Sequence, residues 1–288
     1  MTQSATEARA AAQSRVRWEL LTQLVRKDLK VKYKNSALGF MWSLANPLLY
    51  LAVFYVVFNK ILGNGVPNFA VLLKSGLLVW NFFNLATLNA TGAVVGSANL
   101  VKKVRFPRIV LPMASVGFAG VHFVLQLVVL FAFMAVFYRD FIGGQLVLLL
   151  PALAVALLFT LAMALLASSL NVRFRDIEHL LEIALLAWFW LTPIVYQIAL
   201  VRQKLTGHGL FWLYMINPMT AVVAAMQRAI YRYPVTTGSN GQPVEVLAAS
   251  GYAFYLKWLG IAALISLALL GIGLWTFRRL EANFAEEL

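Results

Sequence analysis

Six stretches of this chain contain no Asp, Glu, Lys or Arg, and each is about long enough to cross a bilayer. They hold 25 residues between Lys34 and Lys60, 27 between Lys74 and Lys102, 30 between Arg108 and Arg139 and 32 between Asp140 and Arg173. Two more hold 19 residues between Glu182 and Arg202 and 20 between Lys257 and Arg278. A helix needs roughly 20 apolar residues to cover the hydrocarbon. Barrel strands would instead appear as alternating segments of about ten residues, a pattern these Leu, Ala, Val and Phe runs lack. The expectation is therefore an all-α integral membrane fold with six transmembrane helices, at about 37–59, 75–96, 109–137, 143–170, 180–201 and 255–277. With 61% hydrophobic and 12% charged residues and a mean hydropathy of +0.79, the chain departs from soluble composition in the same direction.

A seventh uncharged interval, Leu205 to Gln227, is interrupted by Gly207, His208 and Gly209 and then by Asn217-Pro218. Proline disfavours helix at the residue before it. Two short helices, roughly 209–216 and 218–231, are expected here as re-entrant or interfacial pieces between the fifth and sixth spans. Six spans place both termini on one side. The short segments on that side carry 16 of the 24 Lys and Arg residues, so positive charge bias makes it the cytoplasmic side. The net charge of +13 follows from the same bias, and with no soluble basic domain to carry it, nucleic-acid binding is not expected.

Residues 1–14 are small, polar and Ala-rich, without the apolar core of a cleavable leader, and are expected to be a disordered tail. Residues 15–34, RVRWELLTQLVRKDLKVKYK, form an amphipathic cytoplasmic interfacial helix. Trp18, Leu21, Val25 and Leu29 share a face for lipid, while Arg26, Lys30 and Lys34 lie elsewhere near phosphates. Asp28 and Lys32 stand at i,i+4 spacing. The loop 97–108, SANLVKKVRFPR, is short and basic, with Phe106-Pro107 directing the chain into the next span. The loop 171–178, NVRFRDIE, mixes Arg173 and Arg175 with Asp176 and Glu178. Residues 279–288 are expected as a cytoplasmic tail.

Chemistry-bearing groups are few. Cysteine is absent, which excludes disulfides, thiolate metal sites and thiol nucleophiles. There is no G-x-x-x-x-G-K-[ST] phosphate loop, no H-E-x-x-H and no acid-rich loop for Mg²⁺. No metal site and no catalytic residue is assigned. His122 is the one ionisable side chain deep in an apolar run, and a hydrogen-bonded packing role suits it better than a proton relay without a carboxylate. Without paired intramembrane acids an ion gradient has no handle on the chain, so energy for uphill transport must come from a partner. Aromatic clusters at Trp80, Phe82 and Phe83 and at Trp188, Phe189 and Trp190 suit span packing and interface belts. They also suit a conduit whose ring faces contact the C–H surfaces of sugars.

The order of several stretches resembles the membrane subunit of ABC exporters of lipid-linked polysaccharide, the O-antigen, teichoic acid and capsule type. These are VRKDLKVKYKNSALGFMWSLANPLLYLAVFYVVF at 25–58, VRFPRIVLP at 104–112, NVRFRDI at 171–177, TPIVY at 192–196 and NPMT at 217–220. The resemblance covers about residues 18–278. It implies the inner membrane of a bacterium and a homodimer docked to two copies of a nucleotide-binding ATPase subunit, with ATP and Mg held on that partner and no cofactor on this chain. It further implies ATPase coupling through Lys102, Lys103, Arg105, Phe106, Arg173, Arg175 and Asp176. A polyprenyl-diphosphate-linked glycan would be the substrate, and from charge and position Arg26, Lys30, Lys34 and Arg105 are the candidates for its diphosphate. Trp80, Phe82, Phe83, Trp188, Trp190 and Tyr196 are the candidates for a glycan channel. An ABC exporter of a drug or small lipid, and a membrane transferase acting on polyprenyl phosphate, are the alternatives.

Overall fold

The computed structural model describes residues 18–32, 34, 66, 68–104, 106–141, 143–207, 209–237, 241 and 243–288, together with isolated positions between 42 and 57. The expected first span at 37–59, the tail at 1–14 and Arg105 lie outside the described residues. Helix α1 covers 18–32. Then come α2 (Phe69–Gly96), the short α3 (Ala98–Lys103), α4 (Val110–Phe137), two 3-10 turns (Arg139–Phe141 and Gly144–Leu148) and α5 (Leu149–Arg173). The chain continues through α6 (Ile177–Leu191), α7 (Ile198–Thr206), α8 (Leu210–Ile216), α9 (Pro218–Ile230), strands β1 (Val235–Thr237) and β2 (Pro243–Glu245), α10 (Tyr252–Glu281) and α11 (Phe284–Glu287).

Local chemistry sets the boundaries. Asn68 takes a left-handed conformation (φ 56°) before α2, a conformation its short polar side chain tolerates. Pro112 and Pro151 each stand third in their helices, where the missing N–H is not needed. Asn217 caps α9 by accepting the Met219 N–H at 3.1 Å, and Pro218 occupies the first helical position, where its fixed φ suits a helix start.

Among the described residues four helices are long and apolar enough to cross a membrane: Phe69–Gly96, Val110–Phe137, Gly144–Arg173 and Tyr252–Glu281. A fifth is obtained if α8 and α9, bent by 89° at their junction, count as one span. The expected continuous span at 180–201 is not formed. Helix α6 ends at Leu191 after 15 residues and the chain is extended at Thr192 (φ −105°, ψ 138°), because Pro193 disfavours helix at the preceding residue. A second departure from the all-α expectation is the antiparallel hairpin β1-β2, registered Val235 with Glu245 and Thr237 with Pro243.

Helix α9 is the hub: all 13 of its residues are buried, against α2, α5 and α10. The α5–α10 pairing is the most extensive and depends on small side chains. A Cβ placed on Gly273 would lie 3.0 Å from the Ala162 carbonyl oxygen. In lipid, where no hydrophobic drive holds helices together, such close approach supplies the packing. A second apolar cluster, Val94, Val101, Leu111, Leu165, Val172, Phe277 and Phe284, gathers the ends of α2, α5 and α10 with the start of α4. This is the basic end of the molecule.

Candidate functional site

At the basic end α1 lies against α4. Leu21, Leu24, Val25 and Leu29 are half-buried whereas Arg26, Lys30 and Lys34 are exposed. The apolar face expected in lipid is thus partly spent on protein, because Gly117 opens a place for it: a Cβ there would meet Val25 at 3.0 Å. Trp18 alone of that face stays 67% exposed. Lys32 is exposed as well but sets its ammonium 3.2 Å from His122 Nε2 and 5.2 Å from the Phe118 ring centroid. The Phe118 carbonyl can only accept, so the 3.0 Å contact with His122 Nδ1 places the ring proton on Nδ1 and leaves Nε2 to accept from Lys32.

Between α1, α2 and the start of α4 runs a cleft of about 530 Å³, lined on its polar side by Lys27, Asp28, Lys32, Asn89, Ser97 and Ser115 and on its apolar side by residues that include Leu24, Leu85 and Phe118. Burial pushes the Asp28 carboxyl above its ordinary value, opposed by the neighbouring Lys27 charge, and pushes the Lys32 ammonium below its own. The helical-face reading singled out Arg26, Lys30 and Lys34 and passed over Lys27 and Lys32, which line the cleft. Their flank at i and i+5, one on each side of Asp28, was the available sign.

The basic loop forms α3, with Lys102 and Lys103 exposed in its last turn, where cations suit the helix dipole. Phe106 is half-buried against the second cluster, which includes Val101 and Phe284. The Arg108 backbone N–H donates to Glu281 Oε1 at 3.2 Å, and its guanidinium donates to the Glu281 carbonyl. A groove of about 480 Å³ is enclosed by Val101, Lys102, Lys103, Val104, Phe106, Arg108 and Glu281. Arg173, Arg175 and Asp176 are exposed in the turn from α5 to α6, with Arg173 stacked on Phe174 at 5.4 Å. Val172 and Val101 share the second cluster, so the two basic loops reach the same end. Asn171 ties that turn to α2, donating to the Thr91 carbonyl at 3.0 Å.

The two aromatic sets form one packed knot. Trp80 meets Phe83 at 5.6 Å and Phe189 at 5.7 Å, Trp188 meets Phe83 at 5.6 Å and Phe159 at 5.8 Å, and Phe82 meets Phe123 at 5.4 Å. Trp80, Phe82 and Phe83 are buried in the protomer, Trp188 is half-buried, and Trp190 is 60% exposed. Tyr196 donates to the Trp190 carbonyl at 2.9 Å and lies 3.1 Å from the Tyr214 hydroxyl. On α6 only Leu185 is fully buried, so Leu180, Ile183, Leu186, Trp190 and Leu191 present an exposed apolar face.

Polar groups also enter the spans where charge counting does not look for them. Lys74, used above as a boundary, lies inside α2, 2% exposed, and donates to Gln126 Oε1 on α4 at 3.2 Å. At the end opposite the basic one, successive carbonyls of the loop before α10 are all claimed. Arg202 of α7 donates to Ala248, the Tyr255 hydroxyl to Ala249 at 2.8 Å and Arg228 of α9 to Ser250 at 3.2 Å. Lys257 stands over Trp212, 4.5 Å from its ring centroid.

The chain belongs to the ABC-2 type transporter family, whose profile matches residues 19–231. It is therefore a permease-type membrane protein of an ABC system, a class that works with an ATPase partner. Among curated proteins it is similar to the O-antigen export system permease protein RfbA of Klebsiella pneumoniae, 28% identical over 276 residues that cover 94% of this chain and 95% of that one. A second K. pneumoniae protein of that name is 29% identical over the same shares. The Myxococcus xanthus RfbA permease is 30% identical over 80% of this chain and 86% of its own length.

Proposed function

We propose that this chain is the channel-forming subunit of an ABC exporter that carries a polyprenyl-diphosphate-linked polysaccharide of the O-antigen type across the cytoplasmic membrane, while ATP is hydrolysed on a separate subunit. The observation that carries the reading is the near end-to-end likeness to O-antigen export permeases. In this reading two copies meet through the exposed face of α6, where Trp190, beside Trp188 and Tyr196, gives the glycan a ring surface. Each copy docks one ATPase subunit, with its Mg and ATP, through Lys102, Lys103, Arg105, Phe106, Arg173, Arg175 and Asp176 on the cytoplasmic side.

The cleft beside α1 supports a place for the lipid diphosphate. Its Lys27 and Lys32, with the hydroxyls of Ser97 and Ser115, suit a phosphate, and Leu24, Leu85 and Phe118 suit the first prenyl units. Arg26, Lys30 and Lys34 on the exposed side raise the local positive potential and draw the anion in; Arg105 is the fourth candidate for that role. The bent pair α8–α9 acts as a re-entrant element at the outer face.

Deleting the gene in its host is expected to abolish surface polysaccharide and to leave lipid-linked glycan accumulating inside. Normal surface polysaccharide together with lost efflux of a drug or small lipid would overturn the glycan reading in favour of that alternative.

A further inference from the structure

The last residues of the chain, expected as a cytoplasmic tail, are built into the basic end. Phe277 and Phe284 are both 0% exposed and meet edge to face at 5.4 Å. The turn between them is closed by the Asn283 N–H donating to the Leu280 carbonyl at 3.0 Å. Helix α11 packs on α3 and α5, and Leu288 joins the rim of the same cluster as Phe106 and Ile109. Just before it, Glu281 holds Arg108 by two contacts, one to its backbone and one to its guanidinium. The basic loop is therefore clamped from the carboxyl-terminal side, and Glu281 forms a wall of the groove that the loop encloses.

We propose that residues 281–288 belong to the ATPase-docking surface: Glu281 and Phe284 hold α3 and the 104–108 segment in shape, so that their groove receives an acidic segment with apolar flanks from the nucleotide-binding subunit. This rests on the reading of the chain as a permease docked to such a subunit. Charge selects the occupant. Lys102, Lys103 and Arg108 line the groove against one acid, Glu281, whose carboxylate already accepts the Arg108 amide. Val101, Val104 and Phe106 supply the apolar wall. About 480 Å³ has room for a few side chains and not for a domain, so a projecting segment fits where a flat face does not. Glu281 and Phe284 act through Arg108, α3 and Phe106, and are positioning residues.

The test uses the full-length permease in nanodiscs and its co-expressed ATPase subunit, titrated at low and high salt. Glu281→Ala, which removes the acceptor of the Arg108 amide, and Phe284→Ala are expected to weaken the apparent affinity for the ATPase subunit about tenfold or more, as loss of support for a charged contact does. Glu281→Gln keeps an amide oxygen that accepts that N–H and removes a negative charge from the groove, so it should dock at least as tightly as the wild type; weakened docking in Glu281→Gln would overturn the positioning role. Salt sensitivity should fall in Phe284→Ala, and the protease pattern of the spans should be unchanged. Phe284→Leu, which refills the cavity, is expected to restore docking, and this variant and Glu281→Ala keep the test decisive if Phe284→Ala does not insert. The double reversal Lys102→Glu, Lys103→Glu is expected to abolish docking. Wild-type affinity in Glu281→Ala and Phe284→Ala alongside loss in the double reversal would overturn this inference alone. Wild-type docking in Glu281→Ala, Phe284→Ala and the double reversal together would overturn the coupling reading beneath it.

Discussion

Burial of the Asp28 carboxyl ties the seating of α1 to pH. Its value in the folded protein is raised by desolvation, so the seated helix binds a proton more readily than the free one. This group's contribution is therefore full below its unfolded value and is lost as pH rises through the raised one. Amide exchange of residues 18–32, corrected for intrinsic rate and compared with Asp28→Asn so that the Lys32–His122 contact contributes equally to both, should show the wild-type α1 gaining protection relative to the variant as pH falls. A wild-type helix that loses protection relative to the variant as pH falls would reverse the assignment. The aromatic residues divide in the same residue-by-residue way. Trp80 is buried and touches Phe83 and Phe189, so Trp80→Ala should lower thermal stability in detergent by about 3–5 kcal/mol and reduce export with it. Trp190 is exposed, so Trp190→Ala should spare stability and impair export alone. A matched loss of both properties in the two variants would remove the distinction.

At the scale of elements, close approach of α5 and α10 depends on Gly273. Gly273→Val should push the Ala162 backbone away and cost about 1–3 kcal/mol by overpacking, read as a fall in unfolding temperature, whereas Gly271→Val, with open space around it, should change little. Much of this level was legible in the sequence. The four long helices coincide with charge-free runs, and Asn217-Pro218 announces the junction of α8 and α9. Other features were hidden for physical reasons. A break at Thr192-Pro193 leaves the apolar composition untouched, so a charge count sees one span where the chain makes two helices. Lys74 ends a charge-free run and yet enters the helix, because Gln126 on another element meets its ammonium, and no local pattern announces a partner 52 positions away. Phe284 looks like part of a polar tail until its neighbour Phe277 is known.

For the whole molecule, the exposed row on α6 is the clearest unfinished surface. Because the chain lacks cysteine, a single introduced thiol reports on one contact at a time. Ile183→Cys or Leu186→Cys in membranes should yield oxidised dimers if two copies meet there, and Leu264→Cys on the exposed side of α10 should not. Dimers only from the α10 position would move the interface and the glycan path with it. The sites that matter most assemble from distant parts of the chain: the cleft from α1, α2 and α4, the groove from α3 and the end of α10. Their components were visible as basic stretches. Their walls were not, since Asn89, Ser115 and Glu281 carry no local sign of what they enclose.

Helix α10 runs without interruption from the groove to the 248–250 loop at the opposite end. It is 30 residues long, about 45 Å at 1.5 Å per residue, with Glu281 on the Arg108 loop at one end and Tyr255 on the Ala249 carbonyl at the other. A continuous helix fastened at both tips cannot slide at one without pulling at the other. The far fastening is shared, since Arg202 and Arg228 grip the adjoining carbonyls from α7 and α9. If the ATPase subunit pushes on the Arg108 loop as proposed, the displacement would reach α7, α9 and α10 together through residues 248–250, the way a bell wire rings several bells.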